Sequence, residues 1–333
     1  MIDSRRTLRF YSVLSASVLA LALSNFSLAA DNWINGRTPD GQPDLQGVWV
    51  NKTITPMERP AALADKPFLS ADEVTDLENR AAERRANRDE NIVIEVGGGG
   101  GRFISYNSFW TDPGSTVLST GQTSLIVDPP SGLAPIRPEA EATRDYNFAH
   151  VEEHWTYNTV WDRCITRGIP GSMLPAGYNN AYQILQSPDY VTIKYEMIHD
   201  VRIIPLTKDA HIDSKIKLWM GDSIAHWEGE TLVVDTTNYN DRGIIASSSA
   251  GARLKGVPVS DQLHVVERFT RVSEDTIIWS ARITDPVNFT RPFTISMPLT
   301  RDGEYTLYEY ACHEGNRSVA NILSAGKVAE QQQ

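Results

Sequence analysis

The sequence has few cysteines and lacks the short motifs that mark the best-known catalytic and cofactor sites. Only Cys164 and Cys312 occur among its 333 residues. It has no Cys-x-x-Cys spacing, and the candidate ligands His199, His226 and His313 lack the His-x-x-x-His spacing of a closed metal site. It also has no Gly-x-Ser-x-Gly turn for a serine nucleophile and no nucleotide or flavin fingerprint. The glycines at 97–101 fit a phosphate-loop spacing only trivially, since no Lys-Ser or Lys-Thr follows them. We therefore expect no cofactor and no metal.

Positive charge is also scarce. The chain has 31 Lys and Arg against 42 Asp and Glu, a net charge of −11. Such a surface repels phosphate backbones and anionic lipids, so nucleic acid and membrane partners are not expected. A small-molecule ligand or substrate is the expected partner.

The N-terminus has the pattern of a cleavable secretory signal over residues 1–30. Arg5, Arg6 and Arg9 precede an apolar stretch at 11–28, and Ala29-Ala30 provides a small-residue cleavage site. Serines and an asparagine interrupt the stretch, which makes a transmembrane anchor the minor alternative. Paired arginines fit both Sec and Tat export, and no cysteine for a lipid anchor lies nearby. We expect a periplasmic or secreted protein that keeps 28 basic and 41 acidic residues after Arg5, Arg6, Arg9 and Asp3 are removed.

The two cysteines allow two interpretations. In an oxidising compartment a disulfide between Cys164 and Cys312 is the first hypothesis. The cysteines lie about 150 residues apart, so closing that loop could stabilise the fold by up to about 5 kcal/mol. The alternative is a free thiol activated by the adjacent His313.

The composition divides the mature chain into an arm and a β-rich domain. Residues 31–122 are expected to form an extended arm with one short strand at 45–50, a surface helix at 70–87 and a glycine-rich hinge at 97–101. Ser70 and Glu73 form a capping box for that helix. Residues 123–333 are expected to form a β-barrel domain with a short C-terminal helix at 316–327.

Alternating apolar and polar residues predict strands separated by tight turns throughout the second region. The clearest alternation places Ile277, Trp279, Ala281 and Ile283 on one face. Successive hairpins indicate an antiparallel meander, and closure into a lipocalin-like barrel of eight to ten strands would remove exposed edges and leave room for one small ligand. An open sandwich is the alternative. The predicted strands are 123–128, 182–186, 190–197, 201–206, 224–227, 231–237, 263–272, 276–284, 293–300 and 305–311.

Several sequence blocks resemble a large family of exported, mostly uncharacterised bacterial proteins. The blocks are PDLQGVW at 43–49, TSLIVDPP at 123–130, DRCITRG at 162–168, EMIHD at 196–200, WEGETLVV at 227–234, VERFT at 266–270 and YEYACHEGN at 308–316. They cover most of the mature chain. The resemblance implies no particular chemistry, but it places both cysteines inside shared blocks and so favours their pairing.

Ionisable residues lie at strand positions or strand ends where a structural barrel would be apolar. Charges inside a cavity are costly unless they are paired, so a cluster facing inward would indicate function. These residues are Glu196, His199, Asp200, Arg202, Asp235, His264, Glu267, Arg268, Arg282, Glu309, His313 and Glu314.

We predict that His199 and His313 act as general base and acid at one rim of the barrel, with Asp200 and Glu314 as their carboxylate partners. The alternative for each histidine is a rim residue that hydrogen-bonds the backbone. A metal site built from His199, His226 or His313 with Glu196 or Glu314 is a minor alternative. The predicted substrate-binding residues are Glu196, Arg202, Trp227, Glu267, Arg282 and Glu309.

Two functions follow from this pattern. The first is an exported, cofactor-free enzyme of the lyase, isomerase or hydrolase type, acting on a small, partly apolar substrate in the barrel cavity. The second is a lipocalin-like carrier that binds such a molecule without changing it. An enzyme needs convergent titratable groups, whereas a carrier needs an apolar cavity with few charges.

Overall fold

A computed structural model describes residues 36–87, 93–96, 101–104 and 111–331. The predicted signal peptide lies outside the described residues. The helices are α1 (Ala71–Ala86), α2 (Pro138–Ala149) and α3 (Ser318–Gln331). The strands are β1 (Gly47–Val50), β2 (Val93–Val96), β3 (Gly101–Ile104), β4 (Ile126–Asp128), β5 (Ala181–Gln186), β6 (Tyr190–Tyr195), β7 (Val201–Pro205), β8 (Asp222–Glu228), β9 (Thr231–Thr237), β10 (His264–Ser273), β11 (Thr276–Thr284) and β12 (Phe293–Arg301).

Nine strands form a nearly closed antiparallel barrel, as the sequence predicts. Their order is β7-β6-β5-β1-β12-β11-β10-β9-β8, and β4 pairs with the start of β12 beside this path. The short strand β1 lies between β5 and β12, with Trp49 opposite both Tyr182 and Arg301. A strand from the N-terminal region thereby joins the two halves of the meander.

The barrel closes between β7 and β8 through side chains. Each strand of the sheet runs antiparallel to its neighbour. Because the sheet has nine strands, an odd number, its first and last strands, β7 and β8, run in the same direction. The two strands lie in contact without forming a described ladder of backbone hydrogen bonds. Arg202 of β7 instead donates from Nε to Oγ of Ser223 on β8, at 2.9 Å.

Bulky side chains occupy the interior of the barrel. Trp49, Phe269, Trp279 and Phe293 are fully buried, and they belong to one continuous apolar core. The four residues predicted to share a face of β11, Ile277, Trp279, Ala281 and Ile283, are all fully buried. Alternation at a period of two thus selects the inward face of the strand, as pleating requires.

Most predicted elements are confirmed, and the boundaries of 231–237 and 276–284 coincide with β9 and β11. The capping box of Ser70 and Glu73 is present at the start of α1. The predicted strand 305–311 is wrong. This segment has no regular structure, because its polar groups bind the turn between β6 and β7 instead of a neighbouring strand.

Some elements were not predicted. Helix α2 begins at Pro138, a residue that favours the first helical turn. Strands β2 and β3 pair around the glycine-rich segment. Of the predicted hinge at 97–101, Gly101 begins β3, and the other four residues lie outside the described residues.

Cys164 and Cys312 form a disulfide with an S–S distance of 2.09 Å. The pairing predicted from the sequence is confirmed, and the free-thiol alternative is wrong. None of the described helices has both the length and the apolar character needed to cross a bilayer.

Candidate functional site

The turn between β6 and β7 carries three of the predicted site residues. Glu196 is fully buried, and its carboxylate accepts hydrogen bonds from the Tyr305 hydroxyl at 2.8 Å and the Tyr308 amide at 3.2 Å. His199 is exposed, and its Nδ1 lies 2.7 Å from the carbonyl oxygen of Tyr310. Glu196 and His199 thus attach the 305–310 segment to the barrel.

Asp200 binds a different segment. Its carboxylate accepts a hydrogen bond from the Thr166 hydroxyl at 2.7 Å. Burial raises the pKa of Asp200, while the bond from Thr166 acts in the opposite direction. Asp200 is therefore placed to hold the loop around Cys164.

His313 and Glu314 are both exposed beside the disulfide. His313 lines a cleft of about 380 Å³ on the outside of the barrel. Within the part of the chain that the structure describes, neither side chain forms a hydrogen bond to the other or to His199. The structure brings the segments of His199 and His313 to one surface but does not join the two imidazoles through shared partners.

Two predicted substrate-binding residues form an ion pair inside the barrel. Arg202 and Glu267 are both buried, and Nη1 and Oε2 lie 2.5 Å apart. Arg202 also donates to Ser223 and Thr236, and the Trp279 indole donates to Glu267 at 3.1 Å. Burial lowers the pKa of Arg202, but the Glu267 carboxylate more than offsets this, so the net shift is upward. The described contacts of Arg202 and Glu267 are therefore with each other and with neighbouring side chains of the barrel.

The remaining predicted substrate-binding residues do not converge. Trp227 is half-buried and packs against the edge of the core. Arg282 and Glu309 are exposed, the first on the outer face of β11 and the second in the irregular 305–311 segment. These three residues therefore do not form a shared pocket with Arg202 and Glu267.

A cluster of alternating carboxylates and imidazoles lies on the outer face of β8, β9 and β10. His211, in the loop between β7 and β8, lies 2.9 Å from Asp222 through Nδ1 and 2.9 Å from Asp235 through Nε2. The second oxygen of Asp235 lies 2.8 Å from Nε2 of His264. We call these four residues, Asp222, His211, Asp235 and His264, the His211 cluster.

Strand ends and one loop position this cluster. Asp222 begins β8, His264 begins β10, and Asp235 lies near the end of β9, so the antiparallel order brings all three to one end of the barrel. The amide of Asn238 donates to the carbonyls of Ile212 and Asp213 and so fixes the loop of His211.

The two histidines of the His211 cluster differ in their hydrogen-bond partners and in their exposure to solvent. The hydrogen bond with Asp235 raises the pKa of His264, and burial opposes that shift. The hydrogen bonds with His264 and His211 lower the pKa of Asp235 despite its partial burial. His211 has a carboxylate at each ring nitrogen, and only the protonated ring donates to both. Its side chain is 21% exposed, whereas that of His264 is 42% exposed.

His264 is the most exposed member of the cluster, so it is the one that a small molecule reaches most readily. Its Nε2 binds Asp235, while no residue of the described ranges hydrogen-bonds its Nδ1. An imidazole held by a carboxylate on one nitrogen and open on the other can donate or accept a proton. Across the described chain, no group of three or more His, Cys, Asp or Glu is arranged to hold a metal ion.

The sequence does not reveal this site as a unit, although it contains a signal for two of its members. Asp235 and His264 appear among the ionisable strand residues, but nothing in their spacing connects them. His211 lies in a loop without a motif, and Asp222 is the first residue of a strand predicted to start at 224. The one sequence signal for this site is the alternation along β9 and β10. It places Asp235 and His264 on the outward face of the barrel, away from the core residues.

Comparisons with protein-family models, curated proteins and solved structures yield no match to this chain.

Proposed function

We propose that this protein is a cofactor-free enzyme that acts by acid–base chemistry on a small, partly apolar substrate, with the His211 cluster as its active centre. The supporting observation is the continuous chain from Asp222 through His211 and Asp235 to the accessible ring of His264, with contacts of 2.8 to 2.9 Å. The site lies outside the barrel interior, at the end where β8 and β10 begin.

In this proposal His264 exchanges a proton with the substrate through Nδ1. Asp235 holds the ring through Nε2 and stabilises its protonated form, which suits a general acid near neutral pH and a general base once the proton has left. His211 and Asp222 keep the carboxylate of Asp235 in position, so they are positioning residues. Ile216 and Leu218, in the same loop as His211, are exposed and offer apolar contact for a substrate.

The chemistry fits proton transfer or hydrolysis without a covalent intermediate. The described neighbours of His264 include no serine or cysteine hydrogen-bonded to its ring. A proton-transfer enzyme of the lyase, isomerase or hydrolase type needs only a positioned acid or base and an orienting carboxylate. The carrier alternative would place its ligand inside the barrel, where Phe269, Trp279 and Phe293 are packed.

The test is turnover of a metabolite mixture by the purified mature protein, followed by mass spectrometry. We expect His264→Gln to slow depletion of the substrate by about 10²–10⁴-fold, the usual contribution of general acid–base catalysis. The matched control is His226→Gln. His226 is another exposed histidine on the outer face of β8, and it pairs with Glu228 instead of the cluster. Equal turnover by wild type and His264→Gln, or no turnover by wild type, would refute the proposal.

His199→Ala and His313→Ala extend the same assay to the residues predicted from the sequence. Each ring is exposed, so neither change removes a core contact. We expect both variants to retain turnover. Loss of turnover in these variants with His264→Gln unaffected would move the active centre to the surface beside the disulfide.

We also propose that the protein works outside the cytoplasm after removal of residues 1–30. The disulfide supports this proposal, because such bonds persist mainly in oxidising compartments. Expression of the full chain in a bacterium, followed by fractionation and N-terminal sequencing, tests it. We expect a periplasmic or secreted product that begins after Ala29 or Ala30, and an unprocessed cytoplasmic product would contradict the proposal.

A further inference from the structure

A surface cleft lies where the two cysteine-bearing segments meet, apart from the His211 cluster. Its volume of about 380 Å³ falls in the range of small-ligand pockets. Arg163 precedes Cys164, and His313 follows Cys312, so the disulfide holds one basic side chain on each of the two joined segments. Its walls include Trp155, Arg163, Ile165, His313, Asn316 and Val319.

Arg163 is the one Arg or Lys among the described residues that line this cleft. Its guanidinium lies over the ring of Trp155, 5.3 Å from the ring centroid, which fixes the plane of the fork. Nε makes a long contact of 3.4 Å to the carbonyl of Thr159. No carboxylate in the described ranges lies within salt-bridge distance of Arg163. Its burial disfavours the charged form and lowers its pKa, and the nearby carboxylate of Asp162 only partly offsets that cost, so an anionic ligand would reduce it further.

The polar neighbours of Arg163 are already committed to the protein. Asp162 accepts hydrogen bonds from the hydroxyl and the amide of Thr159, at 2.6 and 3.2 Å. Asn316 donates to the carbonyl of Asp162 and to the sulfur of Cys164. These bonds fix the walls, so the cleft is organised before a ligand arrives, which lowers the entropic cost of binding.

We propose that this cleft binds a small organic monocarboxylate with an apolar or aromatic body. Arg163 takes the carboxylate with its two Nη groups, which hydrogen-bond no residue of the described ranges, and planar guanidinium geometry favours this pairing. Trp155, Ile165 and Val319 contact the apolar part, and His313 supplies a second donor. The half-exposed ring of Trp155, 50% exposed, is the surface that such a ligand covers.

Titration of the disulfide-intact protein with benzoate, followed by NMR shifts of the tryptophan indole N–H groups, tests the proposal. Benzamide has nearly the same shape without the charge, so it is the matched ligand control in unmodified protein. We expect saturable shifts with benzoate and at least about tenfold weaker binding of benzamide, because hydrogen bonds between charged groups contribute on that order. Equal affinity for the two probes, or no saturable shift with benzoate, would overturn the proposal.

Two variants locate the binding. Arg163→Gln should weaken benzoate binding by about tenfold or more. Arg291→Gln, an exposed arginine that pairs with Asp128, should leave the binding of benzoate unchanged. Circular dichroism of both variants establishes that they fold. Benzoate affinity that is unchanged in folded Arg163→Gln would also overturn the proposal, whatever the outcome for the His211 cluster.

Discussion

Removing the charge of Glu267 should destabilise the barrel strongly. The substitution Glu267→Gln leaves the buried guanidinium of Arg202 without the carboxylate that lies 2.5 Å away. Breaking a buried ion pair from one side costs about 3–5 kcal/mol. Typical domains have total stabilities of about 5–15 kcal/mol, so we expect loss of a large fraction of the free energy of unfolding.

The control for this prediction is an ion pair outside the barrel. Arg268 binds Glu228 at 2.7 Å on the exposed face, and water screens such pairs. Glu228→Gln should therefore leave the unfolding midpoint essentially unchanged. The assay is urea unfolding with the disulfide intact, followed by tryptophan fluorescence and circular dichroism.

A double variant separates the cost of an unpaired charge from that of altered packing. Arg202→Met with Glu267→Leu removes both charges and should recover most of the stability lost in Glu267→Gln, because apolar replacements of buried pairs are often neutral or stabilising. This prediction fails if Glu267→Gln unfolds at the wild-type midpoint. It also fails if the double variant is no more stable than the single one.

Three further predictions concern the His211 cluster, the disulfide and the glycine that precedes β8. Asp235→Asn should lower the pKa of His264 towards its ordinary value, measurable by NMR titration of the imidazole protons, and an unchanged pKa would refute the proposed pairing. Because the folded-state pKa of His264 is raised, the His264–Asp235 pair stabilises the fold fully at pH values below the unfolded-state pKa of His264. This stabilisation declines as the pH rises through the folded-state pKa. The decline should be absent from stability measurements on Asp235→Asn. Replacing Cys164 and Cys312 by serine should cost up to about 5 kcal/mol in urea unfolding, and a cost below about 1 kcal/mol would show that the cross-link does not constrain the unfolded chain. Gly221→Ala should destabilise by more than about 1 kcal/mol in the same assay, since Gly221 has φ +71 and its Cβ would lie 2.5 Å from the carbonyl oxygen of Thr237; wild-type stability would show that the loop can shift.

The strands could be predicted because their signal is local. Ile277, Trp279 and Ala281 alternate with polar residues, and the pleat alone assigns them to the interior. The position of β1 between β5 and β12 has no such local signal, since its pairing joins residues far apart in the chain. The alternation of the 305–311 segment was misleading, because its contacts are with the buried carboxylate of Glu196.

The candidate site was less predictable than the fold. The sequence predicts that charges on strands need partners, and Arg202 and Glu267 are indeed paired inside the barrel. No sequence pattern predicts that His211 lies next to Asp235, because the path of a long loop depends on tertiary contacts such as those of Asn238. Loop histidines of this kind become visible only when the neighbouring strands are placed in space.

The position of β1 has a consequence for the order in which the chain can fold. Trp49 pairs with Arg301, about 250 residues later. During synthesis, β1 emerges long before β12 exists, so the sheet cannot be completed until the chain has left the ribosome as far as Arg301. Unpaired strand edges in such incomplete chains favour aggregation. The edges of β1 and β12 that pair in the folded sheet therefore stay unpaired in a nascent chain of this protein until β12 has been made.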